Sequence, residues 1–474
     1  MTRAARRAQP RTALDAARQT AYDALRSVDQ DDAYLNLVLP RLLSERGLSG
    51  RDAGLATELA NGTARLQGSY DAFLESCVAG GITNVQPAMP TALRLGVHQP
   101  LSMRVPTHAA VGTSVELVRT AVGERPVRLV NAVLRKVATK TYDEWVEATA
   151  PARSNDLVGH LAVRHSHPRW IVQAYLDVLS DLDAVEALLI ADNVAPTVTL
   201  AARPGLCSID ELCAADATPS KGLADGTQKA VITPARWSPY AAQLSGGDPA
   251  QLAVVRAGRA GVQDEGSQLA ALAACLVPLT GRDSRWLDLC AGPGGKAALL
   301  TGLARAQRVT LVASDSRLHR AQLVSSAVRA YPLPHPVVAA DGRQPPWRPS
   351  TFDRVIVDVP CSGLGALRRR PDARWRRRQT DVEQLVPLQV ALLQSALDSA
   401  RPGGVVTYIT CSPHFAETRG VVDSVLNARS DGVQEDVRPL FDQLPHLGPG
   451  PHLQLWPHLH GTDAMFIASL RRRG

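Results

Sequence analysis

The first 140 or so residues of this 474-residue chain carry apolar side chains at helical spacing. Prolines interrupt the pattern near residues 87–106, and no alternating Thr- or Val-rich segment lies between its runs. Intervals of three and four residues place side chains on one face of an α-helix. We therefore predict an all-helical block over residues 1–145, on the evidence of two runs: Ala13, Ala16, Ala17, Ala21, Leu25 and Val111, Val115, Leu117, Val118, Val122.

From about residue 262 the pattern changes to short apolar runs that alternate with helical stretches. The runs at 285–289, 309–313, 355–357 and 405–409 are predicted strands, and 297–306, 317–330, 382–400 and 416–428 are predicted helices. This alternation is typical of a parallel, doubly wound sheet that binds ligands at the carboxyl ends of its strands. We expect a Rossmann-like α/β domain over residues 261–474, and a small α+β domain over 146–260, where the two patterns mix.

Composition narrows the class of protein. Hydrophobic residues make up 45% of the chain, which excludes wholesale disorder. No apolar run approaches the roughly 20 residues that cross a bilayer, and no apolar segment follows the basic N-terminus. The seven cysteines form no CxxC pair. We expect a cytoplasmic protein with reduced thiols, no membrane partner and no metal, and nothing in the sequence requires more than a monomer.

The net charge of +7 is a mild basic bias, but its distribution is uneven. Seven arginines lie between positions 368 and 378, and three end the chain at 471–473. Such runs are often solvated surface, and beside a catalytic motif they can also bind a polyanion.

A glycine-rich turn follows the first strand of the predicted α/β domain. Its spacing is neither that of a dinucleotide fingerprint nor that of a P-loop, and it suits a small ligand that carries a carboxylate. We predict that it binds a ligand through Cys290, Ala291, Gly292, Pro293, Gly294, Gly295 and Lys296.

Acidic residues end the strands that follow. Asp315 stands where an acid receives ribose hydroxyls, and Asp341 stands where an acid can meet an adenine amino group. A single Asp after a strand is more often a helix N-cap. Acidic residues at the ends of successive strands, beside one glycine loop, instead indicate a binding site for an adenosyl group. S-adenosylmethionine (SAM) fits, with S-adenosylhomocysteine as product, and we include Arg320 and Asp358 among its contacts.

Two cysteines each end a strand, Cys361 after Asp358-Val359-Pro360 and Cys411 after Thr410. Adjacent parallel strands would bring both thiols to one edge of the cleft. Cysteine is commonly a small buried hydrophobe, and we keep that interpretation for four others: Cys77, Cys207, Cys213 and Cys275. We expect the thiol of Cys290, inside the ligand loop, to pack and not to react.

Taken together, these motifs resemble the RNA (cytosine-5)-methyltransferases of the Sun/Fmu type, and most of all the bacterial members that act on 16S rRNA. The likeness rests on 263–268, 290–296, 358–363, 369–375, 410–412 and 460–463, with departures at Gly292, Ala297 and Ala464-Met465. The first block resembles the RNA-associated NusB-type helical domain at 93–99, 106–111 and 130–135.

The resemblance implies roles for the site residues. Cys411 would be the nucleophile that adds to C6 of cytosine, Asp358 would contact the base edge near N3, and Cys361 would assist release of the product. Lys296 would lower a thiol pKa or orient the base, unless it is a surface residue of its helix. The target base must leave its stack, and the arginine run would hold the surrounding phosphates through Arg368, Arg369, Arg370, Arg374 and Arg376.

Other interpretations remain open. The same transfer to tRNA keeps the mechanism, and only the NusB-like block favours rRNA. A DNA cytosine methyltransferase does not fit, because it would place its nucleophile in the Pro-Cys motif and would not need Thr-Cys. An amino-group methyltransferase does not fit either, because such enzymes typically use an Asn/Asp-Pro-Pro-aromatic motif, which residues 358–361 do not match. A non-catalytic RNA-binding or ribosome-assembly factor would bind RNA without transferring a methyl group.

Overall fold

The computed structural model describes residues 15–31, 33–215, 231–334 and 336–474. Two compact units meet in sequence between His167 and Pro168. The divisions predicted near residues 145 and 260 stay predictions. Residues 1–14 and 32 of the predicted helical block lie outside the described ranges. None of the described helices has the length and apolar character needed to cross a membrane.

The first unit is helical, as the apolar spacing predicts. In the helix over 127–137, Val130, Val133, Leu134 and Val137 are buried at intervals of three, one and three residues, while Arg128 faces outward. Its helices are α1 (Ala16–Asp31), α2 (Leu35–Glu45), α3 (Gly50–Arg65), α4 (Gln67–Cys77), α5 (Met89–Leu101), α6 (Thr107–Ala121), α7 (Val127–Val137), α8 (Tyr142–Thr149) and α9 (Leu157–Arg164).

The second unit begins with helices and a small antiparallel sheet of four strands, in the order β2-β3-β1-β4. Leu200, Ile232 and Leu244 from three of its strands pack with Leu212 in one apolar cluster. The elements are α10 (Arg169–Val178), α11 (Leu182–Asp192), β1 (Val198–Ala202), α12 (Ile209–Ala214), β2 (Val231–Pro234), β3 (Ala241–Ser245), α13 (Ala253–Arg256) and β4 (Ala260–Val262).

A larger mixed sheet forms the rest of the unit. Its main path runs β10-β12-β9-β8-β5-β6-β7, and β11 pairs with β12. The strands are β5 (Arg285–Asp288), β6 (Thr310–Asp315), β7 (Val337–Ala339), β8 (Phe352–Asp358), β9 (Ala400–Thr410), β10 (Gly432–Glu435), β11 (Leu453–Gln454) and β12 (Phe466–Arg472). The helices are α14 (Glu265–Leu276), α15 (Gly295–Ala306), α16 (Leu318–Val328), α17 (Ala373–Arg376), α18 (Gln379–Ser399), α19 (Arg419–Ala428) and α20 (Pro457–His460).

Strands β5 to β9 are parallel, as predicted, so their carboxyl ends meet at one edge of the sheet. Registry places Asp288 opposite Ile356 and Asp358 opposite Ile409. The residues that follow these strands therefore share one cleft.

The three antiparallel strands β10, β11 and β12 were not predicted. The C-terminal arginines belong to this part of the sheet: Arg471 pairs with Glu435 at 2.6 Å and Arg472 with Asp431 at 3.3 Å. These two arginines therefore stabilise the β10–β12 edge of the sheet through ion pairs with β10 and with the turn before it.

Candidate active site

The glycine loop joins β5 to α15 and lies directly against the end of β6. The Gly292 amide donates a hydrogen bond of 3.1 Å to Asp315 Oδ2. A Cβ at Gly292 would lie 2.5 Å from that oxygen, and one at Gly294 would lie 2.6 Å from Ala327 Cβ. Gly294 also has φ +111°, which favours glycine. The loop can approach its neighbours this closely only because both positions lack a side chain.

Arg320 and Asp315, both predicted contacts of the cofactor, meet at this loop. Arg320 Nε lies 3.3 Å from Asp315 Oδ2, and the Arg320 guanidinium donates to the Gly292 carbonyl. Asp341 follows β7 at the same edge but is turned to Arg343, 2.6 Å away, which lowers the pKa of the Asp341 carboxyl. An adenine contact by Asp341 stays a prediction, since it requires this exposed ion pair to open.

Lys296 is a buried residue and not a surface residue of its helix. Its ammonium donates a hydrogen bond of 2.8 Å to Asp358 Oδ2, and its side chain is 12% exposed. Burial lowers the pKa of Lys296, but the Asp358 carboxylate outweighs burial and leaves the pKa raised. Lys296 therefore stays charged in the cleft, with Asp358 oriented beside it.

The two predicted cysteines face each other at the ends of β8 and β9. The Cys361 and Cys411 sulfurs are 3.3 Å apart, within hydrogen-bond range. The hydrogen bond with Cys361 lowers the pKa of Cys411, and so does the Lys296 charge, while burial and the Asp358 charge raise it. The pKa of Cys361 is raised, first by the same hydrogen bond and then by burial. The contact therefore makes Cys411 the more acidic thiol of the two.

Glu417 is a site residue that the sequence analysis missed. Its buried carboxylate accepts hydrogen bonds from the Ser362 amide at 2.7 Å and from the Ser362 hydroxyl, and Gln389 donates to it at 3.0 Å. Because Ser362 follows Cys361 and Glu417 follows Cys411 by six residues, this carboxylate ties together the two cysteine-bearing loops. Two loops 55 residues apart in sequence leave no local signal for such a contact.

The arginine run is not one exposed surface, and this corrects the predicted RNA-contact set at two positions. Arg368 is buried in ion pairs with Asp264 at 2.9 Å and Asp463 at 3.3 Å. Arg374 is fully buried and donates to Asn193 Oδ1 at 2.9 Å. A buried guanidinium is held by carboxylate and carbonyl partners at a fixed place, so these two arginines support the fold around the cleft. Phosphate contacts of Arg369, Arg370 and Arg376 stay predictions.

Comparison with known proteins identifies the family. The model of 16S rRNA methyltransferase RsmB/F matches residues 275–471, and that of the NusB family matches residues 15–139. Ribosomal RNA small subunit methyltransferase B of Pseudomonas syringae pv. tomato is 30% identical, over 96% of this chain and 96% of its own. The chain belongs to the RsmB/F methyltransferase family.

Other similarities agree with this assignment. The Mycobacterium tuberculosis protein Rv1407 is 48% identical, over 98% of each chain. The crystal structure of PH0851 has a TM-score of 0.77 and 19% identity, and the alignment covers 97% of this chain and 99% of that one, which shows the fold alone. The predicted NusB-like helical region and Rossmann-like methyltransferase fold are confirmed. The family consists of RNA methyltransferases that use SAM.

Asp288 is a second residue of this RsmB/F site that the sequence analysis did not select. It ends β5 beneath the glycine loop, is fully buried, and neither carboxylate oxygen has a hydrogen-bond partner among the described residues. Burial raises the pKa of Asp288 to about 8, and the Asp358 charge adds to the effect. The side chain is therefore protonated at neutral pH in the protein without ligand.

The raised pKa of Asp288 predicts a pH-dependent stability. An unfolded Asp has a pKa of about 3.9, so its contribution is fully present below that pH and is lost as the pH rises through 8. Asp288→Asn removes the titration. Between pH 5 and 8.5 we expect the unfolding free energy of the parent to fall relative to the variant, measured by urea unfolding without SAM. Parallel pH profiles would contradict the assignment.

Replacing a buried arginine of the run should lower the free energy of unfolding more than replacing an exposed one. Arg374→Ala leaves Asn193 and neighbouring polar groups buried without their partner, and we expect a loss of about 3 kcal/mol or more. Arg370→Ala removes an exposed side chain and should cost about 0.5 kcal/mol or less. Denaturant unfolding of both variants checks this, and equal losses would mean that Arg374 is not a structural residue.

Proposed function

We propose that this methyltransferase transfers the methyl group of SAM to C5 of a cytosine in 16S rRNA, with Cys411 as the nucleophile. The observation that carries the proposal is the Cys361–Cys411 pair, 3.3 Å apart, beside the Lys296–Asp358 ion pair and the glycine loop. Each feature alone can have a purely structural role in a protein. Together they provide a nucleophile, a charge partner and a cofactor loop in one cleft.

The residues at the loop fit SAM. The backbone of the glycine loop lies directly against the end of β6, and Asp315 at that end suits ribose hydroxyls. The buried oxygens of Asp288 have no hydrogen-bond partner among the described residues, and an ammonium group of an amino-acid ligand would supply donors there. When bound, SAM supplies an electrophilic methyl group.

Cys411 prepares the base for that methyl group. C5 of cytosine is a weak nucleophile, so direct transfer would be slow. Addition of the Cys411 thiolate to C6 forms a carbon–sulfur bond and shifts the ring electrons so that C5 becomes enamine-like. The hydrogen bond from Cys361 and the Lys296 charge favour the thiolate that this step requires.

Asp358 and Lys296 are assigned to the base edge. Addition at C6 places negative charge on the N3 side of the ring, and a positive charge or hydrogen-bond donor there stabilises the adduct. The Asp358 carboxylate can accept a hydrogen bond from the amino group beside N3, and the Lys296 ammonium, 2.8 Å from Asp358, supplies the positive charge. This arrangement predicts that the two side chains act together in positioning the base.

Cys361 is assigned to release. After methylation, water acting as base takes the C5 proton, the electron pair of that bond restores the C5–C6 double bond, and the Cys411 sulfur leaves as a thiolate. The two sulfurs lie within hydrogen-bond range, and a hydrogen bond donated by the Cys361 thiol would stabilise the departing thiolate. Without it, elimination slows and the covalent adduct persists.

Two observations favour 16S rRNA over tRNA as the substrate. The family model and the Pseudomonas relative are named for small-subunit rRNA methylation. The helical region that matches the NusB family accompanies the catalytic domain in this chain. A target in a loop or junction would expose C6 at the lowest cost of unstacking.

Transfer of labelled methyl groups from SAM tests this function. We expect labelled 5-methylcytosine in protein-free 16S rRNA and none in tRNA, and Cys411→Ala should reduce incorporation by about 1,000-fold or more while leaving RNA affinity nearly unchanged. Cys361→Ala should accumulate a protein–RNA adduct on denaturing gels.

Each other result has a definite meaning. Label in tRNA alone would overturn the substrate, and normal methylation by Cys411→Ala would overturn the nucleophile. Binding without transfer, repeated with small-subunit particles, would favour a non-catalytic assembly factor. Cys275→Ala, which changes a thiol in an apolar cluster of α14, controls for the loss of any cysteine.

A further inference from the structure

An exposed aromatic side chain lies close in sequence to the nucleophile. Phe415, four residues after Cys411, is 47% exposed. It begins the short 3-10 turn Phe415–Glu417, and Glu417 at the end of that turn holds the Cys361 loop. The ring of Phe415 therefore has a fixed place at the edge of the sheet where the cleft lies.

A positively charged side chain lies close to this ring. The Arg419 guanidinium lies 5.3 Å from the centroid of the Phe415 ring. Arg419 is exposed and forms no ion pair with any residue in the described part of the chain. It is the first residue of α19, where the helix dipole disfavours a positive charge. Helix stability therefore does not explain an arginine at this position.

A cavity of about 320 Å³ adjoins Arg419. Phe466 in its wall pairs with Thr410, the residue before Cys411, so the cavity lies one strand away from the strand that carries the nucleophile. The rings of His452 and Phe466 are 4.8 Å apart. Asp423 and Gln434 also line the cavity, and their side chains make no hydrogen bond or ion pair with the described residues.

We propose that Phe415, Arg419 and this cavity form a subsite for single-stranded RNA next to the target cytosine. The inference rests on the proposed function. Phe415 stacks on a base that flanks the target, and Arg419 binds the adjoining phosphate. The cavity receives the next base, whose edge meets the amide of Gln434 and the carboxylate of Asp423.

The chemistry of the surface favours RNA over a protein partner. The volume is at the lower end of the range of small-molecule sites and suits one base. An aromatic ring with a neighbouring guanidinium is the combination that binds unpaired nucleotides, since every base presents a stacking face and every linkage a negative charge.

The test measures methylation by the full chain at saturating SAM while the RNA concentration is varied. Phe415→Ala should raise the RNA concentration at half-maximal rate by about tenfold, because one base loses its stack. The maximal rate should change less than threefold, and Phe415→Trp should behave like the parent. Arg419→Gln should reduce the slope of log affinity against log salt by about one.

Leu333→Ala is the matched control, since it removes an exposed apolar side chain near β7, at the opposite edge of the sheet. If Phe415→Ala and Leu333→Ala both stay within twofold of the parent, the subsite is overturned. If Phe415→Trp raises the RNA concentration at half-maximal rate as Phe415→Ala does, the ring does not act by stacking on a base. If the parent methylates no RNA, the proposed function fails, and RNA affinities of the same variants, measured by fluorescence anisotropy, still decide for or against the subsite.

Discussion

The parallel pairing of β8 with β9 is the constraint on which the rest of the site depends. It brings the residues after Asp358 and after Thr410 to one edge, and the Cys361 and Cys411 sulfurs to 3.3 Å. The hydrogen bond at that distance is the largest cause both of the lowered pKa of Cys411 and of the raised pKa of Cys361. The same contact serves two steps of the proposed reaction, because it stabilises the thiolate before addition and again on release.

The charged side chains around this pair are buried or partly buried, and they are paired with opposite charges. Lys296 neutralises Asp358, and Arg368 joins Asp264 to Asp463. Paired ions in a poorly solvated cleft keep a fixed orientation, which a site that must hold a base and a methyl donor together requires. Asp288 is the exception, since it is buried beneath the glycine loop and has no hydrogen-bond partner among the described residues. Protonation offsets the cost of that burial in the protein without ligand.

Much of the catalytic half could be predicted because its signals are local. Each parallel strand is a short apolar run followed by a Gly, Pro, Asp or Cys motif, and parallel topology brings such motifs together. The burial of Arg374 could not be predicted, because its partner Asn193 lies 181 residues away in sequence. The buried and the exposed positions of the run carry the same residue type, so the sequence does not distinguish them. The strands β10 to β12 were missed because they lie outside the strand–helix alternation: β12 pairs antiparallel with β9, and β10 and β11 pair with β12.

The most direct test of the central claim is a trap for the covalent step. In RNA that carries 5-fluorocytosine, the C5 proton is replaced by fluorine, so methylation can proceed but elimination cannot. The account predicts a stable, SAM-dependent protein–RNA adduct, with the modified peptide containing Cys411 by mass spectrometry. An adduct on Cys361, or methylation of ordinary RNA without any adduct on the fluorinated substrate, would contradict it.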